Sequence, residues 1–345
     1  MHEAIAPSST VTDTLRRPLR DLRISVTDRC NFRCSYCMPK EVFNEGYRFL
    51  PGSELLSFDE IERLVRVFVE LGVRKIRLTG GEPLLRPELT TLIARLRSID
   101  GVQDLAMTTN GFLLERYAKD LVDAGLDRVT VSLDSLREDT YEHEHSVSAL
   151  PRVLAGVEAA HAAGLTPIKL NCVVRRQSNV DDIVELSRRF RDTPMVLRFI
   201  EYMDVGTLND WSPQAVVTAD EILARISADA PLRPLPPMHD GEVARRYGYQ
   251  HHAGEIGIIS SISQPFCSSC HRARLSADGR LLTCLFACGG LDLKDALRRG
   301  EEHATLMTRV QTTWQQRGDR YSELRAELQS QSPRRRRLEM YQIGG

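Results

Sequence analysis

The sequence predicts an α/β fold, an incomplete (β/α)6 barrel of TIM-like build followed by a C-terminal α+β extension. Three observations predict it. Short apolar segments of strand length alternate six times in a row with amphipathic segments of helix length. Alternation of that kind gives parallel strands joined by right-handed helical crossovers. Six units are too few to close an eight-stranded barrel, so the sheet is expected to stay open and curved. Its active groups would sit on the loops at the carboxyl ends of the strands.

Residues 1–18 are polar, with Pro7, Ser8, Ser9 and Pro18, and read as a flexible arm. LRISV (22–26) is the first strand and runs into a cysteine-rich loop. SFDEIERLVRVFVELG (57–72) is its helix, with Ser57 and Glu60 as a capping box and Gly72 at the expected glycine stop. RKIRLTG (74–80) with ELTTLIARLRSI (88–99) is the second unit, and VQDLAMTTN (102–110) with LLERYAKDLVDAG (113–125) the third. DRVTVSLDS (127–135) with a helix over 149–163 is the fourth, and TPIKLNCVV (166–174) with VDDIVELSRRF (180–190) the fifth. MVLRFIEYM (195–203) with ADEILARIS (219–227) is the sixth, with Thr218 and Glu221 as a second capping box.

The character of the chain changes near 230. PLRPLPP (231–237) reads as a turn-rich linker, and RYGYQHHAGEIGIISSIS (246–263) as strands or hairpins. ARLSADGRLLTCLF (273–286) is a hairpin turning at Asp278-Gly279. Helices are expected at 291–299 and 301–329, and the chain finishes SPRRRRLEMYQIGG, whose four arginines read as a solvated stretch. The expected organisation is an arm (1–18), a barrel (19–230) and an extension (231–345).

The 46 basic residues nearly balance the 47 acidic ones, for a net charge of −1. That argues against a general nucleic-acid or membrane-surface binder, so an anionic ligand would have to meet a local cluster of Arg and Lys. The first twenty residues lack the apolar core of a signal peptide, and no run of about 18 apolar residues suggests a membrane span. A cytoplasmic chain keeps its thiols reduced, so the eight cysteines read as metal ligands or buried thiols rather than disulfides.

DRCNFRCSYCMP (28–39) packs Cys30, Cys34 and Cys37 into one loop with no fourth Cys or His nearby. A structural zinc site wants four closed ligands, whereas an iron–sulfur cube takes one thiolate per iron. Three thiolates therefore leave one iron open to a small molecule. Cys267, Cys270 and Cys284 form a second group of three, which by spacing alone is also compatible with a zinc ribbon short of one ligand. TGGEP (79–83) at the end of the second strand offers two glycines where backbone can approach a ligand closely.

The Cys-x3-Cys-x2-Cys loop followed by TGGEP resembles the radical S-adenosylmethionine enzymes. LRISVTDRCNFRCSYCMP, RLTGGEP, TTNG, the second triplet with HRARL and the closing Gly-Gly together resemble the GTP 3′,8-cyclases of molybdenum-cofactor biosynthesis, from about residue 19 to Gly345. The resemblance implies a lyase with two [4Fe-4S] clusters. Cys30, Cys34 and Cys37 would hold the one that binds S-adenosylmethionine; Cys267, Cys270 and Cys284 the one whose open iron meets the purine of GTP. Tyr36, Gly81, Ser132 and Met203 would contact S-adenosylmethionine. Arg23, Lys75, Arg77, Thr108, Lys169, Arg198, Arg272 and Arg274 match positions facing GTP, whose roughly four negative charges call for guanidinium forks. Arg23, Gly344 and Gly345 are the catalytic candidates, the glycines as a tail threading into the site. The implied reaction is abstraction of the ribose 3′ hydrogen by a 5′-deoxyadenosyl radical, attack on guanine C8, and completion by an electron and a proton. The implied partners are an electron donor and a downstream cyclic pyranopterin monophosphate synthase, for a monomer or homodimer.

Two further readings compete: a radical peptide maturase with an auxiliary cluster, and a zinc-stabilised binding module. Cys288, four residues past Cys284, reads as a buried thiol, Cys172 as strand core, and His143 and His145 as part of an exposed loop.

Overall fold

The computed structural model describes residues 10–209, 211–331 and 337–344. Six strands each lead into helix: β1 (Asp21–Ser25) to α1 (Phe58–Glu70), β2 (Lys75–Thr79) to α2 (Leu89–Arg97), and β3 (Asp104–Thr109) to α3 (Leu114–Asp123). β4 (Arg128–Ser132) leads to α4 (Glu138–His145) and α5 (Leu150–Ala163), β5 (Lys169–Val174) to α6 (Ile183–Phe190), and β6 (Val196–Glu201) to α7 (Ala219–Asp229). β7 (Leu232–Leu235), β8 (Arg245–Tyr249), β9 (Glu255–Ile259), β10 (Arg272–Leu275), β11 (Arg280–Leu282) and β12 (Leu291–Asp292) follow. The chain then forms α8 (Leu293–Arg298), α9 (His303–Gln315), α10 (Tyr321–Gln331) and the short α11 (Met340–Ile343).

These strands make one open sheet in the order β12-β11-β10-β1-β2-β3-β4-β5-β6-β9-β8-β7. β1 to β6 are parallel neighbours, as the six-unit rhythm predicts. The two outer edges of that run are taken by late strands: β10 lies parallel beside β1, and β9 parallel beside β6. The expected boundary at 230 therefore falls inside a continuous sheet.

Strand sequences alternate because the two faces differ. Leu22, Ile24, Ile76, Leu78, Leu170 and Leu197 are buried in the main core. The residues between them carry charge on the other face, in register across strands. Arg274 stands opposite Arg23, and Arg23 opposite Arg77. The Ser57–Glu60 capping box forms in full. Thr218 caps α7, but Glu221 does not return the bond; it pairs with Arg176 instead.

Several expectations change. The arm is ordered where it is described: Val11, Asp13 and Arg17 are buried, while residues 1–9 lie outside the described residues. PLRPLPP is no linker, since β7 pairs antiparallel with β8; Pro234 is tolerated because β7 is the outermost strand. The helix expected over 301–329 is two helices, separated near Gly318. His143 and His145 sit in α4, not a loop, and His145 is buried. Cys172 is strand core as expected, but Cys288 is exposed rather than buried. Among the described residues no helix is long and apolar enough to cross a membrane.

Candidate active site

The charged face of the sheet lines one cavity. Seven strand-borne cations reach it from five strands: Arg23 (β1), Lys75 and Arg77 (β2), Lys169 (β5), Arg198 (β6), and Arg272 and Arg274 (β10). Thr108, Ser132, Tyr36 and Met203 line it as well, and so do Cys267, Cys270 and Cys284. Cys30, Cys34, Cys37, Gly81 and Gly344 are not on its wall. Gly345 lies outside the described residues.

The cations are crowded beyond what their carboxylates offset. Burial, then Arg272 and Arg77, bring Arg23 down to about 9. Burial, then Arg198, Arg128, Arg77 and Lys75, bring Lys169 down to about 7. Arg77 and Arg198 fall to about 10, each chiefly by burial. Arg77 also donates to Thr108 Oγ1 at 3.0 Å and Thr130 Oγ1 at 2.9 Å. Among the described residues, four polar atoms of cavity-lining residues are buried with no hydrogen-bond partner: Arg17 Nη2, Asn171 Oδ1, Arg198 Nε and Ser261 Oγ. Like charges held together with unspent donors suit a polyanionic ligand.

The first thiol triad adjoins the cavity through Tyr36, against which Cys34 and Cys37 pack. Tyr36 donates to Asp134 Oδ2 at 2.7 Å, and Asp134 also accepts from the Val173 N–H at 2.7 Å. His145 stands between Asp134, at 3.4 Å, and Cys34 Sγ, at 3.0 Å from Nδ1. Burial raises Asp134 to about 7 and lowers His145 to about 4. The GGE turn grips the cysteine loop: the Gly81 and Glu82 N–H groups donate to Thr27 O and Arg29 O at 2.8 and 2.7 Å. A Cβ on Gly81 would lie 2.2 Å from Arg29 O, so only glycine fits under that loop. The Glu82 carboxylate, raised to about 7 by burial, accepts from Thr109 Oγ1 and the Asn110 N–H, both at 2.7 Å, and so ties TTNG to the same turn.

Burial, then Cys30 and Cys37, raise the Cys34 thiol, and burial, then Cys30, raises Cys37. Three thiols that oppose each other's ionisation need a positive centre to become thiolates together. In the second triad burial raises Cys284 to about 11; at Cys270 the Arg272 and Arg317 guanidiniums outweigh burial and bring the thiol down to about 6. No three His, Cys, Asp or Glu side chains among the described residues form a site for a single metal ion. A cluster that gives each thiolate its own iron fits the two triads better than one zinc does.

Sequence reasoning passed over Asp134, although SLDS was in view, and Asn171, Arg17 and Arg317, which carry no motif. Their role shows only when residues distant in sequence come together.

Residues 24–190 match the Radical SAM superfamily, and residues 195–323 match Molybdenum Cofactor Synthesis C. A relative from Acidothermus cellulolyticus named GTP 3′,8-cyclase is 54% identical over 324 residues, covering 92% of this chain and 89% of that one. Relatives of the same name from Xanthomonas campestris and Staphylococcus aureus are 52% and 45% identical, covering 96% and 97% of this chain and 97% and 99% of theirs. The chain belongs to the GTP 3′,8-cyclase family. Membership brings a [4Fe-4S] cluster with S-adenosylmethionine and a second cluster, which the free thiols of the two triads suit. The fold of this cyclase-family chain is shared with Streptococcus suis SuiB bound to S-adenosylmethionine, at TM-score 0.56 and 15% identity over 85% of this chain and 68% of that one. A second SuiB structure aligns at TM-score 0.54 and 16% identity, over 78% of this chain and 60% of the other.

Proposed function

We propose that this chain cyclises GTP to 3′,8-cyclo-7,8-dihydro-GTP, with S-adenosylmethionine at the first triad and the purine of GTP at the second. The carrying observation is that buried, under-neutralised cations from five strands and three free thiols share one cavity wall. Held by Cys30, Cys34 and Cys37, an iron–sulfur cluster with S-adenosylmethionine would supply the radical chemistry that removes the ribose 3′ hydrogen. The protein's own residues bind and orient. Lys75, Arg77, Lys169 and Arg198 would take the triphosphate, with Thr108 as a hydroxyl contact. Arg272 and Arg274 would face the nucleotide near the second triad. Tyr36, Gly81, Ser132 and Met203 would hold S-adenosylmethionine, Tyr36 fixed through its bond to Asp134.

Arg23 sits between Arg77 and Arg274 in the sheet, which suits a contact near the reacting sugar. Arg274 donates to the carbonyls of Ile343 and Gly344, so Gly344 would approach the site along that guanidinium, with Gly344 and Gly345 as the catalytic tail of this reading. The product calls for a cyclic pyranopterin monophosphate synthase downstream, and the chemistry for an electron donor. A cytoplasmic location and a monomer or homodimer complete the reading.

The test is anaerobic reconstitution followed by incubation with S-adenosylmethionine, reductant and GTP. We expect about eight irons per chain and 5′-deoxyadenosine formation that depends on GTP. Equal 5′-deoxyadenosine with a peptide substrate and none with GTP would remove the cyclase reading.

A further inference from the structure

Asp13, Arg17 and Arg317 form a buried ion cluster beside the second triad. Asp13 is 6%, Arg17 2% and Arg317 4% exposed. Asp13 Oδ2 meets Arg17 Nε at 2.6 Å and Arg317 Nη1 at 3.2 Å, and its Oδ1 accepts from the Leu15 and Arg17 N–H groups, each at 2.9 Å. The outward ends of both guanidiniums go to the second triad. Arg17 Nη1 donates to Cys267 O at 2.7 Å and Asp319 O at 2.8 Å. Arg317 donates through Nη1 to Cys270 O at 2.7 Å, through Nη2 to Cys270 Sγ at 3.3 Å, and through Nε to Thr283 O at 3.0 Å. Three of the four carbonyls held are thus those of two triad cysteines and of the residue before the third. The Trp314 indole closes the cluster: its N–H donates to Arg17 O at 3.1 Å, and the Arg317 guanidinium stacks 4.5 Å over its ring.

This arrangement does more than neutralise charge. The two pieces of chain that carry the triad meet through a carboxylate from the segment before β1 and an arginine from the turn after α9. Removing one member of a fully buried ion network strands the others without water, so the network resists drift of the cysteine loops. An N–H aimed at a ligand sulfur also stabilises the extra electron of a reduced cluster, and hydrogen bonds to sulfur are one way proteins set cluster potential.

We propose that the Asp13–Arg17–Arg317 cluster is the positioning device of the second triad, and that Arg317, through its bond to Cys270 Sγ, raises the reduction potential of the cluster held there. The proposal rests on the two-cluster reading. Asp13 acts only through the two arginines and is a positioning residue.

The test uses the full chain, reconstituted anaerobically in a Cys34→Ala background so that the second cluster reports alone. Midpoint potential is read by redox titration with electron paramagnetic resonance, and cluster retention by the rate of iron release to a chelator. Arg317→Gln is expected to shift the midpoint to more negative values, and Arg317→Lys to shift it in the same direction by less. Asp13→Asn is expected to release iron several-fold faster. The same substitutions made beside Cys267→Ala, which leaves only the first cluster, should move neither quantity.

If Arg317→Gln takes up no iron, the Arg317→Lys protein decides the question. A midpoint unchanged in the Arg317 variants that load, or one displaced equally at the first cluster, overturns the proposal. If the Cys34→Ala protein itself carries no cluster at Cys267, Cys270 and Cys284, the two-cluster reading falls and takes this proposal with it. A loaded second site with unmoved potentials overturns the proposal alone.

Discussion

Lys169 shows how much the charged cavity costs the free protein. Burial and four neighbouring cations bring its pKa from 10.5 to about 7. The unfolded chain keeps that proton to about pH 10, so between about pH 7 and 10 the unfolded state binds more protons than the folded one. Stability of the ligand-free protein is therefore expected to rise with pH through that window. A triphosphate reverses the balance, because its charge draws the proton back to the lysine. GTP binding at pH 8 should take up close to one proton, seen as a binding enthalpy that varies with the ionisation heat of the buffer. Lys169→Met should abolish that uptake, stabilise the free protein at pH 7, and weaken GTP binding about 10- to 100-fold, the usual range for a charge-assisted contact. Proton uptake that survives in Lys169→Met would place the titrating group elsewhere. At Cys288 the expectation is a null result. It is exposed and not on the cavity wall, so Cys288→Ala should leave iron content and the GTP-bound spectrum as they were.

Between elements, the segment 337–344 is held on both sides. Arg337 donates to Asp204 O at 3.0 Å and pairs with its carboxylate at 3.1 Å, in the loop after β6. Glu339 accepts from the Thr207 N–H at 2.9 Å and from Thr207 Oγ1 at 2.8 Å, while Tyr341 and Tyr47 share a bond at 2.6 Å. Loop and tail each need a glycine, Gly206 where the loop meets Glu339 and Gly344 where the tail meets Thr79 of β2. A Cβ on Gly206 (φ +74°) would overlap Glu339, and one on Gly344 (φ +68°) would lie 2.1 Å from Thr79 Cγ2. Gly344→Ala and Gly206→Ala should each leave GTP and S-adenosylmethionine affinity near normal and lower kcat by roughly 100-fold, the scale for about 1 Å of misplacement. The double variant should be little worse than either alone, because both act through one docking event. Limited proteolysis within residues 337–344 should quicken in parallel, and an unchanged cleavage rate beside a lost kcat would separate the glycine from tail docking.

Such contacts mark the limit of reading by sequence. Period-two alternation in KIRLT and KLNCVV was visible, and with it the strands and the cation face. EDTYEHEH carries too few apolar residues to announce α4, whose buried His145 is explained by Cys34 and Asp134 from other elements. Asp13 falls in the stretch that reads as a flexible arm, because its partner Arg317 is far along the chain.

Over the whole molecule, the extension continues the barrel's sheet at both edges rather than hanging from it. β10 gives β1 its outer neighbour and β9 does the same for β6, so the parallel run continues at both ends into strands that come after residue 230. The cation row crosses the same seam, since Arg274 of β10 stands in register with Arg23 of β1. Stopping the chain at 230 would bare the N–H and C=O groups of β1 and β6 on two open edges. It would also remove α9, which packs against α1. A fragment of residues 1–230 is therefore expected to aggregate or form mixed oligomers in sedimentation experiments. The full chain without iron should stay monodisperse or discretely oligomeric, with helical content near that of the loaded protein, because its sheet is continuous through backbone bonds and not through iron. A fragment that sediments as one discrete species and binds S-adenosylmethionine at a reconstituted first cluster would show that six strands suffice for a stable barrel. The late strands would then serve the second triad alone, and the seam between β1 and β10 could be opened without loss of the first half of the site.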